Sequence, residues 1–300
     1  MIYNRPEYWL KKKAEPREAC LTFSSPSSFT LAVNDATKHW DGTLEYSTDK
    51  NTWTVWDGTT TLSSAASGGE NVLYLSGTGN TVITGSSSNY RWVLTGSDIA
   101  CIGNIEYLLD YVTVESGAHP TMTSNCYMNM FRNCTSLTQA PALPATTLAY
   151  FCYVSMFFGC TSLTQAPALP ATTLASNCYN SMFYNCSALT QAPALPATTL
   201  DASCYTNMFY NCTALTQAPA LPATTLTTSC YKKMFEGCTS LKLSSTQTGE
   251  YTVVYRIPTA GTGKTATNAL SNMFTDTGGT FTGTPAINTT YYLSNTNTVV

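Results

Sequence analysis

Two sets of five cysteines run through the middle of the chain, and within each set the spacing is 26 residues. The first set is Cys126, Cys152, Cys178, Cys204 and Cys230, and the second is Cys134, Cys160, Cys186, Cys212 and Cys238. The block LTQAPALPATTL occurs four times without change, and Leu241 opens a fifth copy that diverges at once. Such a period is typical of solenoids, in which each repeat buries its apolar face against its neighbours. The sequence therefore predicts a repeat array over about residues 121–245.

The third repeat shows the pattern from which we predict the fold. Its apolar residues are Cys178, Tyr179, Met182, Phe183 and Cys186. They stand at i, i+1, i+4, i+5 and i+8, which is the stripe expected on one face of an amphipathic helix. Pro193 and Pro196 follow, and because proline lacks an N–H the strand after the helix must be short. We predict an α/β leucine-rich-repeat solenoid with one helix and one short strand in each 26-residue repeat.

The sequence before the array predicts an all-β sandwich over residues 20–98. Its short apolar runs, spaced by about ten residues and separated by turn residues, are CLTF, FTLAV, TLEYS, TWTVW, NVLYL, TVITG and YRWVL. The solenoid is expected over residues 99–300, with a capping coil at 99–120 and a degenerate C-terminal cap at 246–300. In that cap YTVVYRI predicts a strand, and ALSNMF copies the repeat pattern without its cysteine.

The repeat resembles a known family. The pattern Cys-Tyr-x-x-Met-Phe-x-x-Cys-x-x-Leu-x-x-Ala-Pro-x-Leu-Pro-Ala-Thr-x-Leu is similar to the BspA-like leucine-rich repeats of bacterial surface proteins and of bacteriophages from gut-type bacteria. The similarity covers residues 99–300. It implies adhesion and binding of proteins or glycans, with no catalytic residues. The first residues, MIYNRPEYWLKKK, lack the apolar stretch of a secretory signal, which favours the bacteriophage setting and hence a virion over a bacterial cell surface.

Composition and charge exclude some partners. Only 10% of the residues are charged and the net charge is −3, so the chain offers no basic surface for a nucleic-acid backbone. No run of 18 apolar residues is present, so membrane insertion is not expected. Residues 1–19 are rich in charged and aromatic side chains, and we predict that this tail attaches to other virion or surface-assembly proteins. Its candidate contacts are Tyr3, Tyr8, Trp9 and Leu10. We expect a homo-oligomer.

The repeated cysteines predict buried, reduced columns rather than disulfides or a metal site. Two cysteines eight residues apart on a helix would lie about 12 Å apart, too far for a disulfide bridge. A zinc site is disfavoured because no Cys-x-x-Cys pair occurs and because His39 and His119 lie outside the repeats. We therefore expect no metal and no cofactor, with free cysteine packing as a small apolar side chain.

The sequence also predicts no enzyme, and two apparent catalytic features weigh little. Gly263-Lys264-Thr265 resembles the end of a phosphate-binding loop, but Pro258 stands where that motif needs its first glycine. The acids of the predicted sandwich leave open a hydrolase site built on paired carboxylates, although acids are also common in turns. These acids are Asp35, Asp41, Glu45, Asp49 and Asp57.

The outward positions of the predicted helix differ between repeats, and they form the candidate ligand-binding stripe. One column contains Arg132, Phe158, Tyr184, Tyr210 and Glu236, and Phe151 lies in another. On a helix Phe151 and Phe158 would be neighbours. Exposed aromatic rings give a large contact area at low entropic cost. We therefore predict a non-enzymatic adhesin, or a virion fibre or decoration protein, that binds a host-surface glycan or protein. The alternative is a structural assembly protein whose repeats mediate subunit contacts only.

Overall fold

The computed structural model describes residues 16–87, 89–258 and 267–300. The strands before the repeats are β1 (Leu21–Ser25), β2 (Thr30–Val33), β3 (Thr43–Ser47), β4 (Thr54–Trp56), β5 (Leu62–Ser63), β6 (Ala65–Ser67), β7 (Glu70–Thr78), β8 (Trp92–Thr95) and β9 (Ile99–Ile102). Helix α1 (Tyr107–Glu115) follows and is interrupted at Asp110, which has non-helical φ and ψ. The later strands are β10 (Leu137–Gln139), β11 (Gln217–Ala218), β12 (Lys242–Ser244), β13 (Tyr251–Arg256), β14 (Gly278–Gly279), β15 (Thr290–Ser294) and β16 (Thr298–Val299).

Two sheets pack against each other at the N-terminal end. One runs in the order β10-β9-β1-β7-β3-β4, with β6 also paired to β7, and the other runs β5-β2-β8. Trp92 on β8 lies 6.4 Å from Phe23 on β1 and 5.7 Å from Trp56 on β4, measured between ring centroids. Buried positions alternate along β1 as expected for a strand with one face in the core. The predicted strand TVITG is wrong, because residues 81–85 form turns and bends.

The prediction of one α-helix per repeat is wrong. Among the described residues α1 is the one helix, and it lies before the repeats. In each coil of the array, the cysteine-to-cysteine segment is a chain of tight turns instead. In the third coil Asn177, Ser181 and Asn185 have φ angles of 56°, 55° and 58°, in the left-handed region. Such angles at every fourth residue are incompatible with an α-helix.

The backbone hydrogen bonds of this turn segment alternate between two kinds of partner. Within the third coil, Asn180, Met182 and Tyr184 each donate to the carbonyl three residues earlier. The residues between them donate to the following coil: Tyr179 to Cys204, Ser181 to Thr206 and Phe183 to Met208, at 3.1, 2.9 and 3.0 Å. Every N–H group is thus paired, but half of the bonds hold coils together instead of building a helix. The array remains a solenoid, with turns in place of the expected helices.

The sequence explains why turns form here. The apolar pairs recur every four residues, whereas an α-helix repeats every 3.6 and would drift by about 40° at each step. The residue before each pair is usually Asn, Ser or Gly, the types that adopt positive φ most readily or hydrogen-bond locally in turns. A four-residue unit with one left-handed residue therefore returns the side chains to the same interior direction each time.

Aromatic ladders fill the interior. Equivalent tyrosines from Tyr127 to Tyr231 stack with ring centroids 5.5 to 5.9 Å apart. Equivalent phenylalanines from Phe131 to Phe235, continued by Phe274, stack at 5.5 to 5.7 Å. All twelve cysteines are buried. Four thiols of the second cysteine set donate to phenylalanine carbonyls of the preceding coil, as Cys186 Sγ does to Phe157 at 3.1 Å, and Cys134 Sγ donates to the Trp92 carbonyl. Burial raises the pKa of the Cys186 thiol to about 12.

The return segment of each coil, LTQAPALPATTL, is more sparsely bonded. Isolated parallel bridges join Gln165 to Gln191, Gln191 to Gln217 and Thr173 to Thr199. Buried leucines and alanines hold this side against the interior; in the third coil they are Leu189, Ala192, Leu195, Ala197 and Leu200. The expected strand is thus reduced to single bridges in most coils, since prolines cannot donate.

Both ends of the array are covered by other parts of the chain. At the N-terminal end β9 pairs in parallel with β10 of the first repeat, and Trp92 N–H donates to the Met130 carbonyl at 2.8 Å. At the C-terminal end residues 267–277 form one more coil of turns, and the predicted strand YTVVYRI is present as β13. A four-stranded sheet, β13-β15-β12-β14, closes that end, while β16 pairs with β11.

Candidate functional site

A surface ladder of aromatic rings lies along one side of the array. Phe158 and Tyr184 stack with centroids 4.5 Å apart and 4° between their planes, and Tyr184 and Tyr210 stack at 4.4 Å and 3°. The Arg132 guanidinium lies 4.1 Å from the centre of the Phe158 ring. The next position of this column is Glu236. The structure thus brings together five of the six residues in the candidate stripe.

The ring faces in this surface ladder are mostly covered. Tyr184 is covered on both sides by its neighbours, and Phe158 lies between Tyr184 and Arg132. All three rings are half-buried. Burial, with the neighbouring Tyr210, raises the pKa of the Tyr184 hydroxyl. A ligand can therefore contact ring edges and hydroxyl groups along the surface ladder. It cannot contact the broad ring faces, which the sequence analysis expected to be exposed.

Phe151 is not part of this surface ladder. Its ring packs edge-on against Tyr150, with centroids 4.0 Å apart. The predicted contact between Phe151 and Phe158 assumed a helix, and Phe151 pairs with Tyr150 instead. Tyr150 is 48% exposed. Phe151 has φ of 57°, although the equivalent residues of the other repeats are Asn and Ser. Sequence reasoning missed Tyr150, because the helical phase did not place it outward.

A groove of about 560 Å³ runs beside the C-terminal end of the surface ladder. We call it the polar groove; its lining residues are Thr161, Asn185, Ser187, Tyr210, Asn211, Thr213, Glu236, Gly237, Thr239 and Asp276. Gly237 has φ of 77°, and a Cβ there would overlap Asn211 Oδ1, so this glycine leaves room for the amide of the preceding coil. The groove is defined by side chains from several coils, and the sequence alone gave no reason to group them.

Glu236 is a partly buried acid in the lining of the polar groove. Its Oε2 atom is inaccessible to solvent and accepts no hydrogen bond from the described residues. The nearest cation is Lys233, whose Nζ lies 3.3 Å from Oε2. Lys233 also lies 5.9 Å from the centre of the Tyr210 ring. Lys233 Nζ also donates a hydrogen bond to Oε1 at 3.4 Å, so this lysine is the charge partner of the Glu236 carboxylate.

The acids of the N-terminal sheets occupy turns and ion pairs. Asp49 accepts backbone hydrogen bonds from Thr52 and Asn51, which lower its pKa. Burial opposes a lower pKa at Asp41, but hydrogen bonds from Thr81 outweigh it. Asp57 accepts from Thr59, Glu45 pairs with Arg17, and Asp35 pairs with His39. Each of the five thus has a local structural partner.

One further ion pair lies where the helix meets the array. The Glu106 carboxylate is 1% exposed, and His119 Nδ1 lies 2.8 Å from its Oε2. Among the described residues no group of three or more histidine, cysteine or acidic side chains is arranged to hold a metal. The tail contacts Tyr3, Tyr8, Trp9 and Leu10 and the Gly263-Lys264-Thr265 segment lie outside the described residues.

No protein-family model matches this chain, and no curated protein or solved structure is significantly similar to it. In the described part of the chain, no helix combines the length and apolar character needed to cross a membrane.

Proposed function

We propose that this is a non-enzymatic binding protein whose repeat array attaches to a glycan or protein on a host surface. The proposed setting is a virion, as a fibre or decoration protein, with a bacterial cell surface as the alternative. Residues 1–19 would then attach the protein to its own assembly. The similarity of the repeat to BspA-like repeats supports this setting, and the aromatic side of the array supports the binding role.

The observation that carries the proposal is the conformation of Phe151. A bulky residue in the left-handed region costs roughly 1–2 kcal/mol relative to one that tolerates it. Among the left-handed positions of the five cysteine-bearing repeats, Phe151 and Lys233 are the two that are not Asn, Ser or Gly. Both lie on the aromatic side, where Phe151 contacts Tyr150 and Lys233 lies near Tyr210. A residue kept at a cost to folding beside the exposed ring of Tyr150 favours a role in binding.

The direct test is binding of the intact protein to whole cells of gut-type bacteria. We expect the protein to bind, and we expect Tyr150→Ser to remove most of the binding. Serine is the residue that Ser176 supplies at the equivalent position of the next coil, so the fold should tolerate it. A fluorescently labelled protein and flow cytometry give the bound fraction.

Thr228→Ser is the matched control, because Thr228 occupies the same position in a later coil and carries no aromatic ring. It should bind as the unchanged protein does. If no cells are bound, or if Tyr150→Ser and Thr228→Ser bind equally well, the proposal fails.

The structural assembly role is the second candidate, and the covered rings of the surface ladder favour it. Rings that stack on one another at 4.4 to 4.5 Å stabilise neighbouring coils without any ligand. In a homo-oligomer that buries Tyr150, the pair Tyr150 and Phe151 would contact a second subunit instead of a ligand. In that case mass photometry should show an oligomer that Tyr150→Ser dissociates, with no binding to cells.

A further inference from the structure

We infer that a pocket between helix α1 and the first coil binds the acetamido group of an N-acetylated sugar. We call it the junction pocket; its lining residues are Glu106, His119, Pro120, Thr121, Met122, Ala145, Thr146, Thr147 and Leu148. Its volume of about 310 Å³ lies at the lower end of the range for small-molecule sites. In naming a sugar the inference rests on the proposed function, but it uses a pocket that Tyr150 and Phe151 do not line.

His119 is the accessible polar side chain of the junction pocket. It is 51% exposed, whereas the side chain of Glu106 is only 2% exposed. His119 Nδ1 lies 3.0 and 2.8 Å from the two carboxylate oxygens of Glu106. Because a carboxylate accepts hydrogen bonds, Nδ1 is the donor, and Nε2 on the far side of the ring points away from Glu106. Nε2 has no hydrogen-bond partner among the described residues.

Glu106 acts as a positioning residue for this imidazole. Burial of a carboxylate costs folding free energy unless the group is paired. Among the described side chains its one partner is the half-exposed His119. A carboxylate bonded to one ring nitrogen fixes the orientation of the imidazole and places the proton on that nitrogen. A ligand therefore contacts His119 Nε2 and has no need to reach the buried acid.

The junction pocket also has an apolar part, which the array leaves partly uncovered. Met122 and Leu148 are half-buried. The equivalents of Leu148 in the next three coils are Leu174, Leu200 and Leu226, and these are only 5%, 8% and 6% exposed. The first coil thus leaves open a leucine that later coils cover, and it does so beside the oriented histidine.

An acetamido group matches this combination of polar and apolar surface. Its methyl group can pack against Met122 and Leu148, and its N–H group can donate to His119 Nε2, which is an acceptor in the neutral ring. Thr146 and Thr147 carry hydroxyl groups, and their backbone N–H groups donate to no carbonyl of the described residues. Donors for the acetamido carbonyl oxygen are therefore present in the same lining. The volume leaves room for the sugar ring beside the acetyl group.

Other small ligands fit the junction pocket less well. Its lining contains no lysine or arginine to pair with a phosphate or carboxylate, and no phenylalanine, tyrosine or tryptophan on which a plain sugar ring could stack. A metal ion would find a single imidazole, and the described residues contain no group of three or more metal-binding side chains.

The test uses the full chain, whose two histidines are His39 and His119. Each imidazole gives its own Hε1 resonance in NMR, and His39, paired with Asp35 in the N-terminal region, is the internal reference. The probes are N-acetylglucosamine and N-acetylgalactosamine, with glucose and galactose as the same rings without the acetamido group. We expect an acetamido probe to shift the His119 resonance but not that of His39. Saturation transfer should be strongest at the acetyl methyl group, and glucose and galactose should bind about tenfold more weakly.

His119→Gln tests the contact with Nε2. A glutamine amide can still donate to Glu106, but it has no second ring nitrogen to accept from the ligand. We expect it to weaken the acetamido probe by about five- to tenfold in a saturation-transfer titration. His39→Gln is the matched control and should leave the affinity unchanged, and circular dichroism should show that both variants fold.

The inference is overturned if no acetamido probe shifts His119, if glucose and galactose bind equally well, or if His119→Gln binds like His39→Gln. Acetyl-lysine amide is a further probe; if it shifts His119 and no acetamido sugar does, the inference fails in favour of an acetylated peptide. Cell binding that depends on Tyr150, without acetamido-sugar binding, would contradict this inference and leave the proposed function standing. Acetamido-sugar binding without cell binding would do the reverse.

Discussion

The two sides of each coil are held together in different ways. On the turn side, alternate N–H groups bond to the next coil, and two aromatic ladders pack inside. On the return side prolines remove donors, and the coils are joined by isolated bridges such as Gln165 to Gln191. The outward residues vary on the well-bonded side and stay identical on the sparsely bonded side. Surface variation is thus tolerated where backbone bonds between coils carry the structure, and this is the side that bears the candidate binding features.

Alkaline pH should produce the largest effect, and within the array it should act through the turn side. All ten array cysteines lie there, and burial raises each thiol pKa above the ordinary value of 9.0. The return block LTQAPALPATTL has no titratable group. In the unfolded chain the thiols lose protons near pH 9 while the folded chain keeps them. Stability is therefore complete below pH 9 and is lost as the pH rises above it.

The size of this effect follows from the number of thiols. Each contributes up to about 1.4 kcal/mol per pH unit between its unfolded and folded pKa. Far-UV circular dichroism between pH 7 and pH 11 should show cooperative unfolding within roughly one to two units above pH 9. The double variant Cys178→Ala and Cys204→Ala should show a shallower pH transition, because it has two fewer buried thiols. A protein that stays folded at pH 11 with its thiols protonated in the core would contradict the comparison.

Truncation of an interior ring should give the next largest effect. Phe183 stacks on Phe157 and Phe209, at 5.6 and 5.7 Å, so Phe183→Ala breaks contacts with two coils. We expect it to lower the unfolding free energy by about 3–5 kcal/mol. On the return side, Leu195→Ala should cost less, about 2–3 kcal/mol. Urea denaturation measures both, with exposed Thr198→Ala as a control expected within about 0.5 kcal/mol of the unchanged protein. Equal losses of unfolding free energy in Phe183→Ala and Leu195→Ala would contradict the proposed difference in packing between the two sides.

A smaller effect should mark the left-handed residues. Asn185 has φ of 58°, and Asn185→Ala should destabilise the protein by about 1 kcal/mol because alanine tolerates this region less well. Ser187, two residues later and exposed, does not have a positive φ. Ser187→Ala should therefore be nearly neutral. The same urea experiment compares them, and an Asn185→Ala variant as stable as Ser187→Ala would argue against the turn structure.

The sequence predicted the period of the array and most strands of the N-terminal sheets, but not the backbone of the repeat. The apolar stripe around Met182 and Phe183 fits an α-helix and a chain of four-residue turns almost equally well over nine residues. The deciding signal was the recurrence of Asn, Ser or Gly at every fourth position, as at Asn177, Ser181 and Asn185. An α-helix does not favour these residues at that spacing, whereas turns with a left-handed residue do.

The candidate site was predictable only within single columns. Residues spaced by 26, such as Tyr184 and Tyr210, necessarily meet in a solenoid, whatever the local backbone. Relations between columns depend on the backbone, so the pairing of Phe151 with Tyr150 and the polar groove emerge only from the structure. The buried Glu106, bonded to His119 from outside the repeats, likewise has no signature in the sequence.

We propose that the turn side keeps Phe151 in a costly conformation because this residue serves binding. The most direct test is Phe151→Asn, which places at this position the residue that Asn177 supplies in the next coil. Urea denaturation and cell binding are measured on the same preparation. We expect an unfolding free energy raised by up to about 1 kcal/mol, together with weakened binding. A variant that is less stable, or that binds as well as the unchanged protein, would contradict it.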